Sequence, residues 1–177
     1  MHQNQKISSI VVNNSTANFS ISGFQSTKNL VVVTELKLFP DLKEYQNKPE
    51  AQCIVYESLC EYAKKIEQFM DGSLRDLASI PIQLDSFSSF QHRVLNAARD
   101  IGYGCTVSYG QLAEMAGNKN AVRAVATVMR KNKYPIIIPC HRVIRTNGQI
   151  GGYCGTQSGE AIDLKRKLLQ NEGVILN

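Results

Sequence analysis

Apolar and polar positions follow two different rhythms along the chain. In the first 40 residues short apolar runs, SSIVVNN, NFSISGF and NLVVVTELKLF, are separated by Asn, Ser and Gly. Runs rich in β-branched and aromatic residues between turn formers predict a small antiparallel sheet. From Cys53 to Met70 the interval lengthens: Val55, Tyr56, Leu59, Tyr62, Ala63, Ile66, Phe69 and Met70 recur at helical spacing, with Glu57, Glu61, Lys64 and Lys65 largely opposite. This is an amphipathic helix able to cover one sheet face. MDGSLRDL ends it, and SIPIQLDSFSSF, with Pro81, reads as an extended linker.

From Phe90 onward the helical interval dominates. FQHRVLNAARDI carries an apolar stripe through Phe90, Val94, Ala97, Ala98 and Ile101 and is stopped by GYG. VSYGQLAEMAG offers Ser108 as a cap, a short helix and Gly117; NKNAVRAVATVMRKN then begins with polar caps and runs as a further helix to RKNKYP. Two short helices about a tight turn at Gly117 form a helix-turn-helix, a shape that reads DNA in many proteins and binds nothing in many others. Ala121, Val122, Ala124, Val125 and Ala126 surround Arg123. Such small side chains allow either close approach to a nucleic-acid groove or ordinary helix packing.

Charge sharpens the division. Residues 1–86 carry 8 basic and 10 acidic side chains, a net of −2, whereas residues 87–177 carry 12 and 5, a net of +7, which together give the chain's +5. A basic half suits a polyanion, and equally a solubilising surface. With 177 residues and 43% hydrophobic content, two small domains are expected. No stretch approaches the roughly 18 apolar residues of a membrane span, and MHQNQKISSI lacks a secretory apolar core, so an intracellular, non-membrane protein is expected. The five cysteines, at 53, 60, 105, 140 and 154, lack CxxC pairs and scaffold spacing, and the histidines (His2, His92, His141) make no metal spacing with them. Free thiols and no catalytic metal follow.

One of those thiols stands apart. Cys53, Cys60 and Cys105 read as small buried hydrophobes. Cys140, in IIIPCHRVIR, follows Pro139 and has His141, Arg142 and Arg145 close by in sequence, company that favours a thiolate nucleophile titrating below the usual thiol range. On an extended strand Cys140 and His141 would point to opposite faces, so a water would have to bridge them.

The run PCHRV, preceded by VSYGQLAEMAGNKNAVRAVATVMRKNKYPIII and followed by GGYCG and LLQNEG, resembles the O6-alkylguanine-DNA alkyltransferases, densely from about Phe90 to Gly173. The resemblance implies an α/β (α+β) protein: a ribonuclease-H-like α/β domain over residues 1–84, then a winged helix-turn-helix-like alkyltransferase domain over 85–177. It implies DNA repair by direct reversal, in which Cys140 takes the alkyl group from O6-alkylguanine, and from O4-alkylthymine, once per protein and without a cofactor. By position, His141 matches a water-bridged base, Glu172 the carboxylate orienting it, Tyr109 the acid that protonates the leaving guanine, and Asn132 a brace beside the site. Arg123 matches the finger that replaces the extruded nucleotide. Gly110, Asn118, Thr146 and Gln91 match DNA contacts, and Tyr153 and Cys154 the pocket wall.

The implied partner is double-stranded DNA bound through the minor groove by a monomer, in the cytoplasm of a bacterium or archaeon or the nucleus of a eukaryote. Two features depart from the family pattern: a thiol at 154, and about five extra residues in TQSGEAIDLKRK, which leave Glu160 as a second candidate for the carboxylate. The alternatives are a lesion sensor without transfer activity, which would lack Cys140, and a helix-turn-helix regulator, which would not need the Cys, His, Glu, Tyr and Asn placements. A cysteine hydrolase would require an oxyanion hole, and the sequence offers none.

Overall fold

The structure, a computed structural model, describes residues 8–12, 17–26, 30–38 and 53–176. The amino-terminal stretch with His2 and the side chain of Cys53 lie outside the described residues. The chain divides into two compact units, Met1–Gln83 and Leu84–Asn177.

In the first unit the three β-rich runs form an antiparallel meander, β1 (Ser8–Val12), β2 (Phe19–Gln25) and β3 (Val31–Leu38). Phe19 and Ile21 alternate inward from β2, as the period of two requires. On β3 the inward positions change parity: Val31 and Val33 are buried, but so is Leu36. The cause is a register break, in which Ser22 pairs with Glu35 and Gly23 with Val33, leaving Thr34 as an extra residue. A one-residue bulge restores a continuous apolar face across an otherwise mismatched pattern.

Helix α1 (Cys53–Met70) packs on this sheet through Val55, Leu59, Tyr62, Ala63, Ile66, Phe69 and Met70. Tyr56, read as part of the stripe, is exposed instead. The supposed linker is also ordered on the sheet: Val33 N donates to Pro81 O (2.9 Å) and Gln83 N to Val33 O (2.9 Å), a parallel bridge at Ile82. The edge of β3 carries backbone groups that need partners, and this segment supplies them.

The second unit is helical around a minimal sheet. It comprises α2 (Ser89–Arg99), β4 (Val107–Ser108), α3 (Tyr109–Met115), α4 (Val122–Arg130), a 3-10 turn (Cys140–Arg142), β5 (Val143–Ile144) and α5 (Glu160–Asn171). The α+β class expected from the sequence is the class observed. Val94, Leu95, Ala97, Ala98 and Ile101 of the α2 segment are buried with Leu112, Ala113 and Val125, while Phe90 is half-buried. α3 and α4 form the helix-turn-helix about Gly117, whose φ of 80° only glycine adopts without strain.

Ser108 caps α3 as expected: its hydroxyl accepts from Gln111 N (3.2 Å) while Gln111 Oε1 accepts from Ser108 N (2.7 Å). Ser108→Ala should cost about 1 kcal/mol of stability in denaturant unfolding. It should also loosen Tyr109, the first residue of that helix. α4 differs from expectation, because its N-cap is Ala121 with no side-chain cap bond. Asn118 organises the turn instead, through Oδ1 to Asn120 N (3.2 Å) and its carbonyl to Ala121 N (3.0 Å). No helix among the described residues is long and apolar enough to cross a membrane.

Candidate active site

The apolar run before Cys140 does not form a strand. Ile137 N bonds Pro135 O (3.0 Å), Ile138 N bonds Tyr134 O (2.8 Å) and Cys140 N bonds Ile138 O (2.7 Å), so residues 134–140 coil tightly into the 3-10 turn. Ile136 adopts φ 74°, a left-handed conformation unfavourable for a β-branched residue, and is buried. Asn132 holds the coil: Oδ1 accepts from Tyr134 N (2.9 Å), and Nδ2 donates to Ile138 O (3.2 Å) and to Cys140 Sγ (3.3 Å). The strand geometry expected for Cys140 and His141 is therefore replaced by a helical turn, because buried backbone groups here pair locally rather than with a neighbour.

Cys140 is 6% exposed and lines a cavity of about 260 Å³ with Tyr109, Met129, Arg130, Tyr153, Cys154 and Gln157 among its walls. Burial pushes its thiol above the usual range, while the Asn132 hydrogen bond and the charge of Lys165 pull the other way. The net direction is upward, opposite to the sequence expectation. Proximity in sequence misled: Arg142 turns away, with Nε donating to Glu172 Oε2 (2.9 Å), Nη2 to Oε1 (3.0 Å) and Nη1 to the Ile101 carbonyl. Arg145 is exposed, and its guanidinium donates to Gln149 Oε1 (3.3 Å) and Gln157 Oε1 (3.1 Å).

His141 and Glu172 meet as expected, although 31 residues separate them. His141 is fully buried, with Nε2 2.8 Å from Glu172 Oε1. Since a carboxylate only accepts, Nε2 carries the proton in this bond and Nδ1 is the ring's basic nitrogen. Burial lowers the histidine's pKa more than Glu172 raises it, so the ring is neutral and able to take a proton. For Glu172 burial acts upward, but the hydrogen bonds and charges of His141 and Arg142 outweigh it and hold the carboxyl at about 2. Oε2 also accepts from Gly104 N (3.0 Å). Gly104 has φ 73°, and a Cβ there would stand 3.0 Å from the Glu172 carbonyl, so the GYG that stops α2 also admits Glu172. Glu160 lies exposed in the first turn of α5, far along the helix from this cluster.

Tyr109 is half-buried in the cavity wall, its hydroxyl held protonated by burial and by Cys140. Tyr153 is buried and Cys154 is exposed at the rim, with burial of its sulfur and the nearby Cys140 pushing that thiol to about 12. A Cβ on Gly152 would meet Thr156 O at 2.8 Å, so the wall closes only with glycine there. Of the residues expected to touch DNA, Arg123 on α4, Asn118 and Thr146 are exposed and Gly110 is half-buried. Gln91 uses its side-chain oxygen inside the α2 capping box, accepting from Ser88 N (2.8 Å). Of the remaining thiols, Cys60 is half-buried, and Cys105, expected in the core, is exposed.

Sequence reasoning missed Lys165, Arg142 as an ion-pair partner, Gly104 and Gln157. Lys165 had a signal: it interrupts the apolar positions Ala161, Ile162, Leu164, Leu168 and Leu169 on the inner face of α5. Among the described residues no group of three or more His, Cys, Asp or Glu could hold a metal.

Residues 89–174 match the family described as 6-O-methylguanine DNA methyltransferase, DNA binding domain. A methylated-DNA-protein-cysteine methyltransferase of Methanothermobacter thermautotrophicus is 33% identical over 144 residues, spanning 81% of this chain and 76% of that protein. The Kluyveromyces lactis protein of the same name is 30% identical over 180 residues, spanning 90% and 93%. The crystal structure of Mycobacterium tuberculosis O6-methylguanine methyltransferase superposes with a TM-score of 0.72 at 27% identity, covering 94% of this chain and 93% of that one. A structure of that protein in complex with DNA gives 0.72 at 28%, covering 93% and 91%. Because these matches run through both units and not only through the cysteine half, the chain as a whole belongs to the methylated-DNA-protein-cysteine methyltransferase family.

Proposed function

We propose that this protein repairs DNA by direct reversal, transferring the alkyl group of O6-alkylguanine, and of O4-alkylthymine, to Cys140 in a single turnover. The observation that carries the reading is a buried thiol lining a cavity of about 260 Å³, on the same turn as a neutral, carboxylate-bonded histidine. The cavity's 260 Å³ lies just under the roughly 300 Å³ at which small-molecule sites begin. That scale suits one extruded nucleobase.

The chemistry follows from the groups present. His141 Nδ1, through a water, takes the Cys140 proton, and Glu172 stabilises the resulting imidazolium. The sulfur lone pair attacks the alkyl carbon, the S–C bond forms as the C–O6 bond breaks, and the departing electron pair passes into the guanine ring. Tyr109 donates its proton to guanine N3, so guanine leaves neutral. Asn132 Nδ2, already 3.3 Å from the sulfur, keeps it in line. Nothing in the pocket is suited to cleave a thioether, and this supports one turnover.

The same reading has α4 enter the minor groove with Arg123 filling the vacated stack, and the protein act as an intracellular monomer. The net +7 of residues 87–177 supports a phosphate-lined partner.

Intact-mass analysis after incubation with duplex DNA containing O6-methylguanine should show one added methyl, mapped to the Cys140 peptide, with none on Cys140→Ala. Release of more than one repaired guanine per protein, or labelling of Cys154, would overturn the reading.

A further inference from the structure

The segment TQSGEAIDLKRK, which departs in length from the family pattern, reaches the reaction cavity through Gln157. The same residue borders a second cleft of about 320 Å³, lined also by Arg145, Gln149, Ile150 and Arg166. Among the described residues Gln157 alone lines both spaces. The backbone between them is thin: Gly151 borders the cleft and Gly152 the cavity. A Cβ on Gly151 would stand 3.4 Å from Arg145 Cγ and 3.8 Å from the Tyr109 hydroxyl, and one on Gly152 would stand 2.9 Å from Gln157 Nε2 and 3.4 Å from its Cδ. The Gln157 carboxamide thus lies directly against the bare backbone of Gly152.

A bond outside the cavity holds it there. Arg145 Nη2 donates to Gln157 Oε1 at 3.1 Å and Nη1 to Gln149 Oε1 at 3.3 Å, while Arg145 itself does not line the reaction cavity. The loop is braced beside this latch: Thr156 and Tyr153 exchange backbone bonds (2.9 and 3.1 Å), and the Thr156 hydroxyl donates to Ser158 O (3.2 Å). Arg145 and Gln157 are both exposed. A hydrogen bond that water can replace contributes little net energy, so the carboxamide can swing out at small cost. Tyr153, by contrast, is buried, and that part of the wall is fixed.

We propose that the Gln157 carboxamide is a latched partition that sets which O6 substituents this protein accepts: closed, it limits the reaction cavity to groups about the size of methyl, and open, it admits larger groups into the cleft beyond. Gln157 is the specificity-determining residue and Arg145, acting through it, a positioning residue. The proposal rests on Cys140 being the alkyl acceptor in this cavity. A substituent larger than methyl must extend past the space that guanine leaves beside the thiol, and Gln157 is the wall residue with a second space behind it. The transfer itself is unchanged, since the S–C bond forms as the C–O6 bond breaks whichever group is carried.

The test measures single-turnover transfer to Cys140 from two duplexes of identical sequence, one holding O6-methylguanine and the other O6-benzylguanine. In the benzyl-to-methyl rate ratio, effects on DNA binding and nucleotide extrusion common to both duplexes cancel. Gln157→Ala should raise this ratio about tenfold or more, the discrimination a pocket wall exerts over one substrate group. Arg145→Met, which loses the donor and keeps the length of the side chain, should raise it about three- to tenfold, the range of one hydrogen bond. In the double variant the ratio should match that of Gln157→Ala alone, because Arg145 acts only through the carboxamide. Gln157→Glu, whose carboxylate accepts more strongly from the guanidinium, should hold the ratio at or below the wild-type value.

A ratio unchanged in Gln157→Ala, a further rise when Arg145→Met is added to it, or a Gln157→Glu ratio as high as that of Gln157→Ala overturns the proposal. Methyl transfer by wild type alongside any of these results leaves the repair reading standing. Failure of wild type to methylate Cys140 removes that reading, and the partition's part in selecting substituents with it.

Discussion

Glu172→Gln is expected to lower the unfolding free energy by about 3–5 kcal/mol, the usual cost of removing one partner from a buried ion pair. The carboxylate takes His141 Nε2 at 2.8 Å, Arg142 Nε at 2.9 Å, Arg142 Nη2 at 3.0 Å and Gly104 N at 3.0 Å, so it joins the Cys140–Arg142 turn to the segment after α2. A glutamine of the same shape leaves the Arg142 guanidinium, itself buried, without its counter-charge. Transfer should slow as well, because His141 loses the group that fixes its tautomer. The family resemblance gave Glu172 only the part of orienting His141; the ion pair with Arg142 gives it a part in stability too.

The pH dependence carries the same signature. Glu172 titrates at about 2 in the folded protein against an ordinary 4.5, so between those values the unfolded chain binds more protons. Its stabilisation is complete above about pH 4.5 and drains away as the pH falls toward 2. His141, lowered below 6.5 by burial, acts in the same direction, since the unfolded chain takes up its proton first on acidification. Denaturant unfolding of wild type should therefore weaken from pH 6.5 downward and most steeply below 4.5. In Glu172→Gln the steeper segment should flatten. A variant losing less than about 1 kcal/mol, with the acid slope intact, would show that the pair contributes little net energy.

Arg123→Ala is expected to slow repair of duplex DNA by about 10- to 100-fold, because holding an extruded nucleotide out of the stack is worth a few kcal/mol. Reaction with free O6-benzylguanine should change by less than about twofold, as no stack is broken there. The asymmetry follows from placement: Arg123 is exposed on α4, whereas the cavity is reached from the same helix at Ala126, Thr127, Met129 and Arg130. Equal losses on both substrates would mean that Arg123 acts on the pocket and not on the duplex.

The elements were legible because their information is local. α1 runs from Cys53 to Met70 as its periodicity required, and Ser108 and Gln111 close the capping box that Ser108 announced. Gly117 turns the helix pair with a conformation that only its missing side chain makes easy. Cys140, His141, Glu172, Tyr109 and Asn132 were named from motif resemblance, and the fold gathers them: Asn132 on the sulfur, Glu172 on the histidine, Tyr109 in the wall.

What the sequence could not carry were interactions set by burial and by distant partners. The β3 bulge depends on how Val31, Val33 and Leu36 meet α1, and no single strand encodes that. Pro81 and Ile82 looked like linker because nothing local shows that β3 has an open edge. Arg142 stood next to the thiol in sequence, yet the 3-10 turn aims it at Glu172, 30 residues away. The direction of Cys140's pKa then reversed, because desolvation outweighs charges that point elsewhere. Lys165 looked like any lysine of a basic helix until packing enclosed it. Which charges reach the thiol is a matter of three-dimensional distance in a medium of low polarity, and only the tertiary structure decided it.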